Sequence, residues 1–213
     1  MSLRRKCTAV LISGRGSNMR ALIERAREPS YPAEIALVLS NRPDAAGLAF
    51  AAQSNIPCAI VDHKNYATRE EFDKALQAVL EAHRIEIVCL AGFTRLLTPW
   101  FVERWQGRLL NIHPALLPAY RGLHTHERAL ADGVKIHGCT VHFVSAGMDA
   151  GPIIAQAAVP VLDSDTPETL AARVLAEEHR IYPEALAWVA GGRARVDGNR
   201  VLGANAAAAT RPT

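Results

Sequence analysis

The sequence predicts an α/β protein with a mostly parallel central sheet flanked by helices. Short apolar runs rich in β-branched residues alternate with amphipathic stretches along most of the chain, as in strands joined by crossover helices. The chain has 213 residues, of which 49% are hydrophobic and 21% charged, so it can bury a sizeable core without a metal or disulfide. Loops rich in glycine or polar residues follow several of the apolar runs.

The predicted elements alternate regularly through the first half of the chain. Strands are predicted at residues 7–12, 35–39, 58–61, 85–90 and 109–112, and helices at 18–27, 44–54 and 68–83. The run at 85–90 is apolar except for Glu86, which is typical of a strand with both faces covered. Phe72, Leu76 and Leu80 repeat at helical spacing within 68–83 and predict one buried face.

The pattern changes after residue 112. Pro114 and Pro118 exclude a regular element between them. Strands are predicted at 139–144 and 153–161, and Thr166 is predicted to cap a helix over 166–189 because Pro167 follows it. We therefore expect a single domain over residues 1–190, a small hairpin at 191–202 and a disordered tail at 203–213.

Charge and cysteine content narrow the possible partners and compartment. The formal net charge is +3, without runs of like charge, which disfavours nucleic acid and suits a small anionic ligand. The four cysteines stand alone beside apolar residues and predict reduced core thiols in a cytoplasmic protein. The apolar runs are too short for a signal peptide or a membrane helix, so no membrane partner is expected.

A glycine-containing loop at residues 13–18 lies between the first predicted strand and helix. Such a loop directs backbone N–H groups and the positive helix end at one point, which favours a phosphate. It is not the dinucleotide fingerprint, because Met19 occupies the third glycine position and 40–42 lack an acidic residue. A tight turn in which Ser17 caps the helix is the alternative.

Asn111 and His113 lie at the carboxyl end of the fifth predicted strand, where open parallel sheets bind their ligands. Two positions apart, they share one face and could stabilise an oxyanion, although an isolated histidine is also a common structural residue. Asp149 sits in a loop between Gly147 and Gly151, where an Asx turn is the alternative.

Four further histidines in this region raise the possibility of a zinc site. His124, His126, His137 and His142 fall on predicted strand or loop. Their spacing matches neither of the specific zinc-binding patterns, H-E-x-x-H on a helix or paired C-x-x-C. No metal site is therefore predicted.

Seven motifs follow one another along residues 7–190, and together they resemble the phosphoribosylglycinamide formyltransferases. The motifs are Ile12–Asn18, Leu90–Phe93, Leu109–Pro118, Leu123–His126, His137–Val144, Asp149–Pro152 and Glu178–Pro183. The resemblance implies a Rossmann-like formyltransferase fold, with residues 1–190 as the catalytic domain. It implies transfer of a formyl group from 10-formyltetrahydrofolate to the amine of glycinamide ribonucleotide in purine biosynthesis, by a monomer or homodimer that needs no metal.

The resemblance also implies roles for individual residues. The implied catalytic residues are Asn111, His113 and Asp149; the implied substrate-binding residues are Gly16, Ser17, Asn18 and Glu178; and the implied folate contacts are Arg69, Thr94, Arg95, Leu96, Leu97 and Asn111, with main chain of the 145–151 loop. Arg121 departs from the pattern, because the family often has proline there. In this respect the stretch resembles the methionyl-tRNA formyltransferases.

The implied chemistry agrees with the residue types. An amine that attacks a formyl carbonyl creates a tetrahedral oxyanion, which needs hydrogen-bond donors and a proton carrier. Asn111 and a protonated His113 could supply both, and a carboxylate at Asp149 would favour the imidazolium form.

Four alternatives remain at this point. A methionyl-tRNA formyltransferase is expected to carry an RNA-binding extension and a basic face, and a formyltetrahydrofolate hydrolase would not need the 13–18 phosphate loop. The others are a phosphate-sensing module and an NADP reductase that uses Arg42, and neither explains Asn111, His113 and Asp149 together.

Overall fold

The structure, a computed structural model, describes residues 4–204. Seven strands form the central sheet: β1 Lys6–Ile12, β2 Ala33–Ser40, β3 Cys58–Ile60, β4 Ile87–Leu90, β5 Leu109–His113, β6 Ile136–Phe143 and β7 Ile153–Pro160. Their order is β3-β2-β1-β4-β5-β6-β7. β1 to β5 are parallel to one another, which confirms the predicted mostly parallel sheet.

β6 and β7 run antiparallel to their neighbours. Nine residues, 144–152, connect β6 to β7. A parallel pair needs a crossover of about a dozen residues or more, so this short loop imposes an antiparallel pair. The same loop carries Asp149 to the carboxyl end of β5.

Six helices and a small second sheet complete the described chain. The helices are α1 Ser17–Ala26, α2 Gly47–Gln53, α3 Arg69–Ala82, α4 Pro99–Arg104, α5 Thr125–Ala131 and α6 Pro167–Ala190, and the second sheet pairs β8 Arg195–Asp197 with β9 Arg200–Leu202. Residues 205–213 of the predicted tail lie outside the described residues. Within 4–204, no helix is long and apolar enough to cross a membrane.

The core has two layers, one on each face of the sheet. Along β1, Val10 and Ile12 face a cluster that includes α1 and α6, whereas Ala9 and Leu11 face a cluster that includes α3 and α4. This alternation follows from the period of two along a strand. Both faces of the parallel strands are therefore covered, which is why these segments read as continuous apolar runs.

Helix α6 is fixed against the carboxyl end of β4 and the first part of β5. Thr166 caps it as predicted, and Pro167 occupies its first turn. Tyr182 is fully buried, and its hydroxyl lies 3.0 Å from the carbonyl oxygen of Leu90 and 3.3 Å from that of Leu110. The helix thus presents its next buried polar residue, Glu178, one turn away on the same side.

Some expectations were wrong in detail. The sequence did not predict α4, α5 or the three-residue 3₁₀ turn His63–Asn65, because such short segments show little helical periodicity. His126 therefore lies on a helix and not on strand or loop. The seven-residue α2 was predicted, but over the longer range 44–54. Cys58 is exposed and Cys7 half-buried, so only Cys89 and Cys139 are core thiols; all four are unbridged.

Gly138 provides a test of the close packing between β6 and β7. A Cβ at this position would lie 2.0 Å from the carbonyl oxygen of Ala157 on β7. We expect Gly138→Ala to lower the free energy of unfolding by about 3 kcal/mol, and the melting temperature by roughly 6–12 °C.

The matched control is Gly14→Ala, because a Cβ at Gly14 meets nothing within 4 Å. That variant should stay within about 0.5 kcal/mol of the parent protein. Equal melting temperatures for the two variants would contradict the role given to Gly138.

Candidate active site

The candidate site lies at the carboxyl edge of the sheet. The strand order reverses between β1 and β4, since the chain leaves β1 toward β2 on one side and later returns to β4 on the other. A crevice at such a reversal is the usual ligand site of an open α/β sheet. The loops after β1, β4, β5 and β6 all end near this edge.

A cavity of about 120 Å³ opens beside β4 and β5. Its apolar lining consists of Leu90, Phe93, Leu96, Leu97, Val102 and Val144, and its polar lining of Arg95, Asn111, His142 and the 145–149 segment. An apolar wall opposite a few polar groups fits a flat heterocycle with hydrogen-bonding edges.

A larger cavity, of about 720 Å³, lies between α1 and α6. Arg25 pairs with Glu28 and Arg180 with Glu184 in this cavity, so most of its formal charge is matched within the protein. It contains none of the three residues Asn111, His113 and Asp149. The smaller cavity contains the unusual polar groups, and we therefore assign the chemistry to it.

Asn111 is held by His142 across the β5–β6 pair, where the two residues are direct partners. Nδ1 of His142 lies 2.9 Å from the carbonyl oxygen of Phe143, which can only accept, so Nδ1 carries the hydrogen. Burial lowers the pKa of His142 and favours the neutral ring. Its Nε2 therefore accepts from the Asn111 side-chain amide at 3.2 Å, and this bond fixes the orientation of the amide.

His113 is buried and lies between two acceptors. Its Nε2 is 2.8 Å from the carbonyl oxygen of Tyr120, and its Nδ1 is 3.4 Å from a carboxylate oxygen of Asp149. His113 therefore faces the Tyr120 carbonyl through Nε2 at hydrogen-bond distance and the Asp149 carboxylate through Nδ1 at ion-pair distance.

Asp149 connects this histidine to the cavity. One carboxylate oxygen faces His113, and the other accepts the backbone N–H of Gly122 at 2.7 Å. Asp149 lines the cavity, whereas His113 lies behind it. The structure thus brings Asn111, His113 and Asp149 together, with only Asn111 and Asp149 at the cavity wall.

The loop after β1 leads into α1, whose N-terminus has no side-chain cap. Gly16 precedes the first helical residue with φ 69°, and no side chain caps α1, so Ser17 is not the cap. Asn18, in the first turn, donates from Nδ2 to a carboxylate oxygen of Glu178 at 2.6 Å. Both side chains are buried, and Oδ1 of Asn18 has no hydrogen-bond partner within residues 4–204.

The implied folate contacts are only partly gathered at the cavity. Arg95, Leu96 and Leu97 line it. Thr94 instead lines a neighbouring cavity that also contains Arg42 and Lys64. Arg69 is exposed at the start of α3 and lines neither of these two cavities.

Two partners in the site are not predicted by the sequence. His142 enters the sequence reasoning only as a possible metal ligand, although its alternation with Cys139 and Val141 on β6 could have suggested a cross-strand partner for Asn111. Tyr120 contributes a backbone carbonyl, which leaves no trace in the side-chain pattern.

Of the other histidines considered as metal ligands, His126 and His137 form a pair of rings whose pKa values are lowered by burial. The rings of His126 and His137 meet edge to face at 5.3 Å, and burial lowers the pKa of His137 to about 4. In the part of the chain that the structure describes, no group of three or more His, Cys, Asp or Glu side chains could hold a metal ion.

Residues 6–186 match the formyl transferase family. The chain is 52% identical over 191 residues to the human trifunctional purine biosynthetic protein adenosine-3, covering 90% of this chain but only 19% of that protein. It is 44% identical to the phosphoribosylglycinamide formyltransferase of Escherichia coli, covering 89% and 90% of the two chains. The solved structure of glycinamide ribonucleotide transformylase 1 from Symbiobacterium toebii is similar, with a TM-score of 0.91 at 48% identity over 93% of each chain.

Glu178 gives a prediction about stability and pH. Burial raises the pKa of this carboxyl, and the Asn18 hydrogen bond offsets only part of that effect. Because the folded-state pKa lies above the unfolded value, the group favours folding most below its unfolded pKa of about 4.3, and this contribution is lost as the pH rises through the folded-state pKa. We therefore expect Glu178→Gln to be more stable than the parent at pH 7, by about 1 kcal/mol, since the glutamine amide can also donate to Oδ1 of Asn18.

The measurement is urea unfolding from pH 4 to pH 8. The advantage of Glu178→Gln should grow as the pH rises above about 4.3. Glu177→Gln is the control, because Glu177 is a surface partner of Arg180 and should change stability little. A stability difference between Glu178→Gln and the parent that does not change with pH would show that the pKa of Glu178 is not raised by folding.

Proposed function

The chain belongs to the formyl transferase family, and on that basis we propose that it transfers a formyl group from 10-formyltetrahydrofolate to the amine of 5'-phosphoribosylglycinamide. Relatives that share 43% and 44% identity over most of their length carry the name of this activity. The chain spans only about a fifth of the human trifunctional relative. The proposal concerns this one activity in purine biosynthesis and one-carbon metabolism.

One observation carries the proposal: Asn111 and Asp149 line the same cavity wall, and His113 lies directly behind Asp149. An amide N–H at the wall can stabilise negative charge that develops on a carbonyl oxygen. A protonated His113, whose Nδ1 lies 3.4 Å from Asp149, would add a positive charge close to these groups. These are the groups that acyl transfer to an amine requires.

The mechanism assigns a separate task to each of the three residues. Asn111, oriented by His142, donates its N–H toward the carbonyl oxygen. As the amine nitrogen bonds to the formyl carbon it becomes acidic, and the Asp149 carboxylate at the wall can accept its proton. When the tetrahedral intermediate collapses, the bond between the formyl carbon and N10 of the folate breaks, and the proton held by Asp149 passes to N10, so that tetrahydrofolate leaves and the carboxylate is restored. His113 balances the charge of Asp149, because its Nδ1 faces that carboxylate at 3.4 Å.

The cavity fits the proposed folate. The apolar residues Leu90, Leu97 and Val102 would cover the flat ring, and backbone groups of Arg95 and of the 145–149 segment would meet its polar edge. The bound folate supplies the formyl group, so the protein need not form a covalent intermediate. Arg69 and Thr94 are proposed to contact the more distal part of the molecule, since they lie outside this cavity.

The ribonucleotide is proposed to bind at the start of α1. Backbone N–H groups of Gly16, Ser17 and Asn18 would receive its phosphate at the positive end of the helix, where no side chain caps them. We propose that the Glu178 carboxylate contacts a part of the ribonucleotide other than its phosphate. Asn18 holds this carboxylate beside the start of α1 by a hydrogen bond.

Other features remain predictions. Residues 1–190 are proposed to be the catalytic domain, acting on small-molecule substrates without nucleic acid or membrane. A cytoplasmic location and a monomeric or homodimeric state also stay predictions from the sequence.

The test is a substrate-omission assay. The protein is incubated with 10-formyltetrahydrofolate and glycinamide ribonucleotide, then with each omitted, while loss of the formyl group from the folate is followed. Turnover should require both substrates. Turnover without the amine would identify a hydrolase, and none under any condition would favour a binding module.

Asp149→Asn should lower kcat by about 10²- to 10³-fold. The asparagine oxygen can still accept from the N–H of Gly122, so the loop keeps its shape, but the base and the negative partner of His113 are lost. Both KM values should change by less than about threefold. Asp163→Asn, at a side chain that is 94% exposed, is the control and should match the parent. Raised KM values with an unchanged kcat would place Asp149 in substrate binding alone.

The enzyme is predicted to work without a metal. Asn111 can polarise the carbonyl, and the positive charge of His113 lies nearby, so the reaction does not need a Lewis acid. Dialysis against a strong chelator should leave the rate unchanged. Loss of activity that added zinc restores would overturn this prediction.

A further inference from the structure

Asp73 is a buried carboxylate outside the catalytic trio. It lies on α3 and is 1% exposed. One of its oxygens, Oδ2, accepts both the backbone N–H of Thr98 at 2.7 Å and its hydroxyl at 2.6 Å. Its other oxygen, Oδ1, is buried without a hydrogen-bond partner in the described chain, residues 4–204. Burying such a carboxylate lowers the stability of the fold, because its hydrogen bonds offset only part of the free-energy cost of desolvation. Stability alone therefore does not explain its presence.

Thr98 is the residue at which the proposed folate segment, residues 94–97, ends. It is also the N-cap of α4, where its hydroxyl accepts the N–H of Phe101 at 3.4 Å. Asp73 therefore holds the end of the segment and the start of α4 at once. A negative charge at a helix N-terminus is favourable, which helps explain why a carboxylate is tolerated here.

The other end of the segment is also fixed by a buried side chain. The backbone N–H of Thr94 donates to the hydroxyl of Ser13 at 2.8 Å, and that hydroxyl donates to Oδ1 of Asn41 at 2.6 Å. Ser13 is 4% exposed. Four residues between two buried anchors have little freedom, although Thr94 and Leu96 are themselves exposed.

We propose that Asp73 is a positioning residue for folate binding, which acts by holding Thr98 and so preordering the 94–97 segment at the cavity wall. The inference rests on the proposed function, because it takes this segment as part of the folate site. Asp73 touches neither substrate. By holding the segment in place before folate binds, Asp73 reduces the conformational entropy that the segment loses on binding.

This role predicts a defect that falls mainly on one substrate. Asn111 and Asp149 belong to β5 and to the 145–149 segment, and α1 begins at the loop after β1, so none of them depends on Thr98. Thr94 is hydrogen-bonded to Ser13 in the phosphate loop, but the loss is at the other end of the segment. Loss of the Asp73 anchor should therefore raise the KM for formyl folate much more than the KM for the ribonucleotide, and leave kcat unchanged.

The experiment compares Asp73→Asn, Thr98→Val and Thr98→Ser with the parent protein by steady-state kinetics. Asp73→Asn replaces charge-assisted hydrogen bonds with neutral ones, and Thr98→Val removes the hydroxyl while keeping the shape. Each should raise the folate KM by about tenfold. Thr98→Ser retains the hydroxyl and should restore the parental value. The double variant Asp73→Asn with Thr98→Val should raise the folate KM by less than the product of the two single effects, since both substitutions weaken the contact between Asp73 and Thr98.

Gln77→Ala is the matched control. It removes a different hydrogen bond between α3 and the end of α4, the 2.8 Å bond from Nε1 of Trp105 to Oε1 of Gln77. If general loosening of α3 against α4 caused the defect, this variant would share it. We expect its folate KM to stay within about twofold of the parent.

The outcomes separate this inference from the proposed function. Absence of formyl transfer by the parent protein would overturn the proposed function. Two outcomes would overturn only the role of Asp73, provided that the parent protein transfers the formyl group. One is an equal folate KM for Thr98→Val and Thr98→Ser, and the other is an equal rise in the KM values of both substrates. If Asp73→Asn fails to fold, the two Thr98 variants decide whether Asp73 positions the segment. A raised folate KM in Thr98→Val but not in Thr98→Ser supports that role.

Discussion

The register between β5 and β6 is the constraint on which the rest of the site depends. It pairs Asn111 with His142 and His113 with Thr140. A slip of one residue would turn Asn111 and His113 to the opposite face of the sheet. Gly138 helps to fix the position of β6, since only a glycine allows the carbonyl of Ala157 to approach so closely. The chemistry at the strand ends is thus set by packing in the middle of the sheet.

Thr140 extends this constraint into the irregular chain after β5. Its hydroxyl donates to the carbonyl of Ala115 at 2.7 Å and accepts the N–H of Leu117 at 3.0 Å. Gln156 on β7 adds a bond to the carbonyl of Leu117 at 2.9 Å. The backbone groups around Pro114 cannot form a ladder, so side chains from β6 and β7 satisfy them. These hydrogen bonds fix the path of the chain that leads to Tyr120, whose carbonyl faces His113.

The sequence predicted the long elements, and the candidate residues Asn111, His113 and Asp149 that it singled out lie together in the structure, although their roles stay predictions. It did not predict the finer geometry of this site. Strands such as 85–90 and the helix ending near Val189 carry long periodic or apolar signals, whereas α4 and α5 are too short to do so. Asn111 and His113 were found because neighbours on one strand share a face. Their partners were not, since His142 meets Asn111 through strand pairing and Tyr120 contributes only a carbonyl. Contacts between distant segments depend on register and loop path, which no local pattern records.

The loops at this edge hold backbone conformations that only surrounding contacts can maintain. Tyr120, His124 and Asp149 have positive φ angles of 52°, 56° and 45°, which are unfavourable for residues with a Cβ. Two of them are the residues that contact His113. The Nε2 hydrogen bond to the Tyr120 carbonyl and the 3.4 Å contact between Nδ1 and the Asp149 carboxylate therefore also hold the two strained loops in place. Such coupling explains how one buried histidine can order two separate loops without itself lining the cavity.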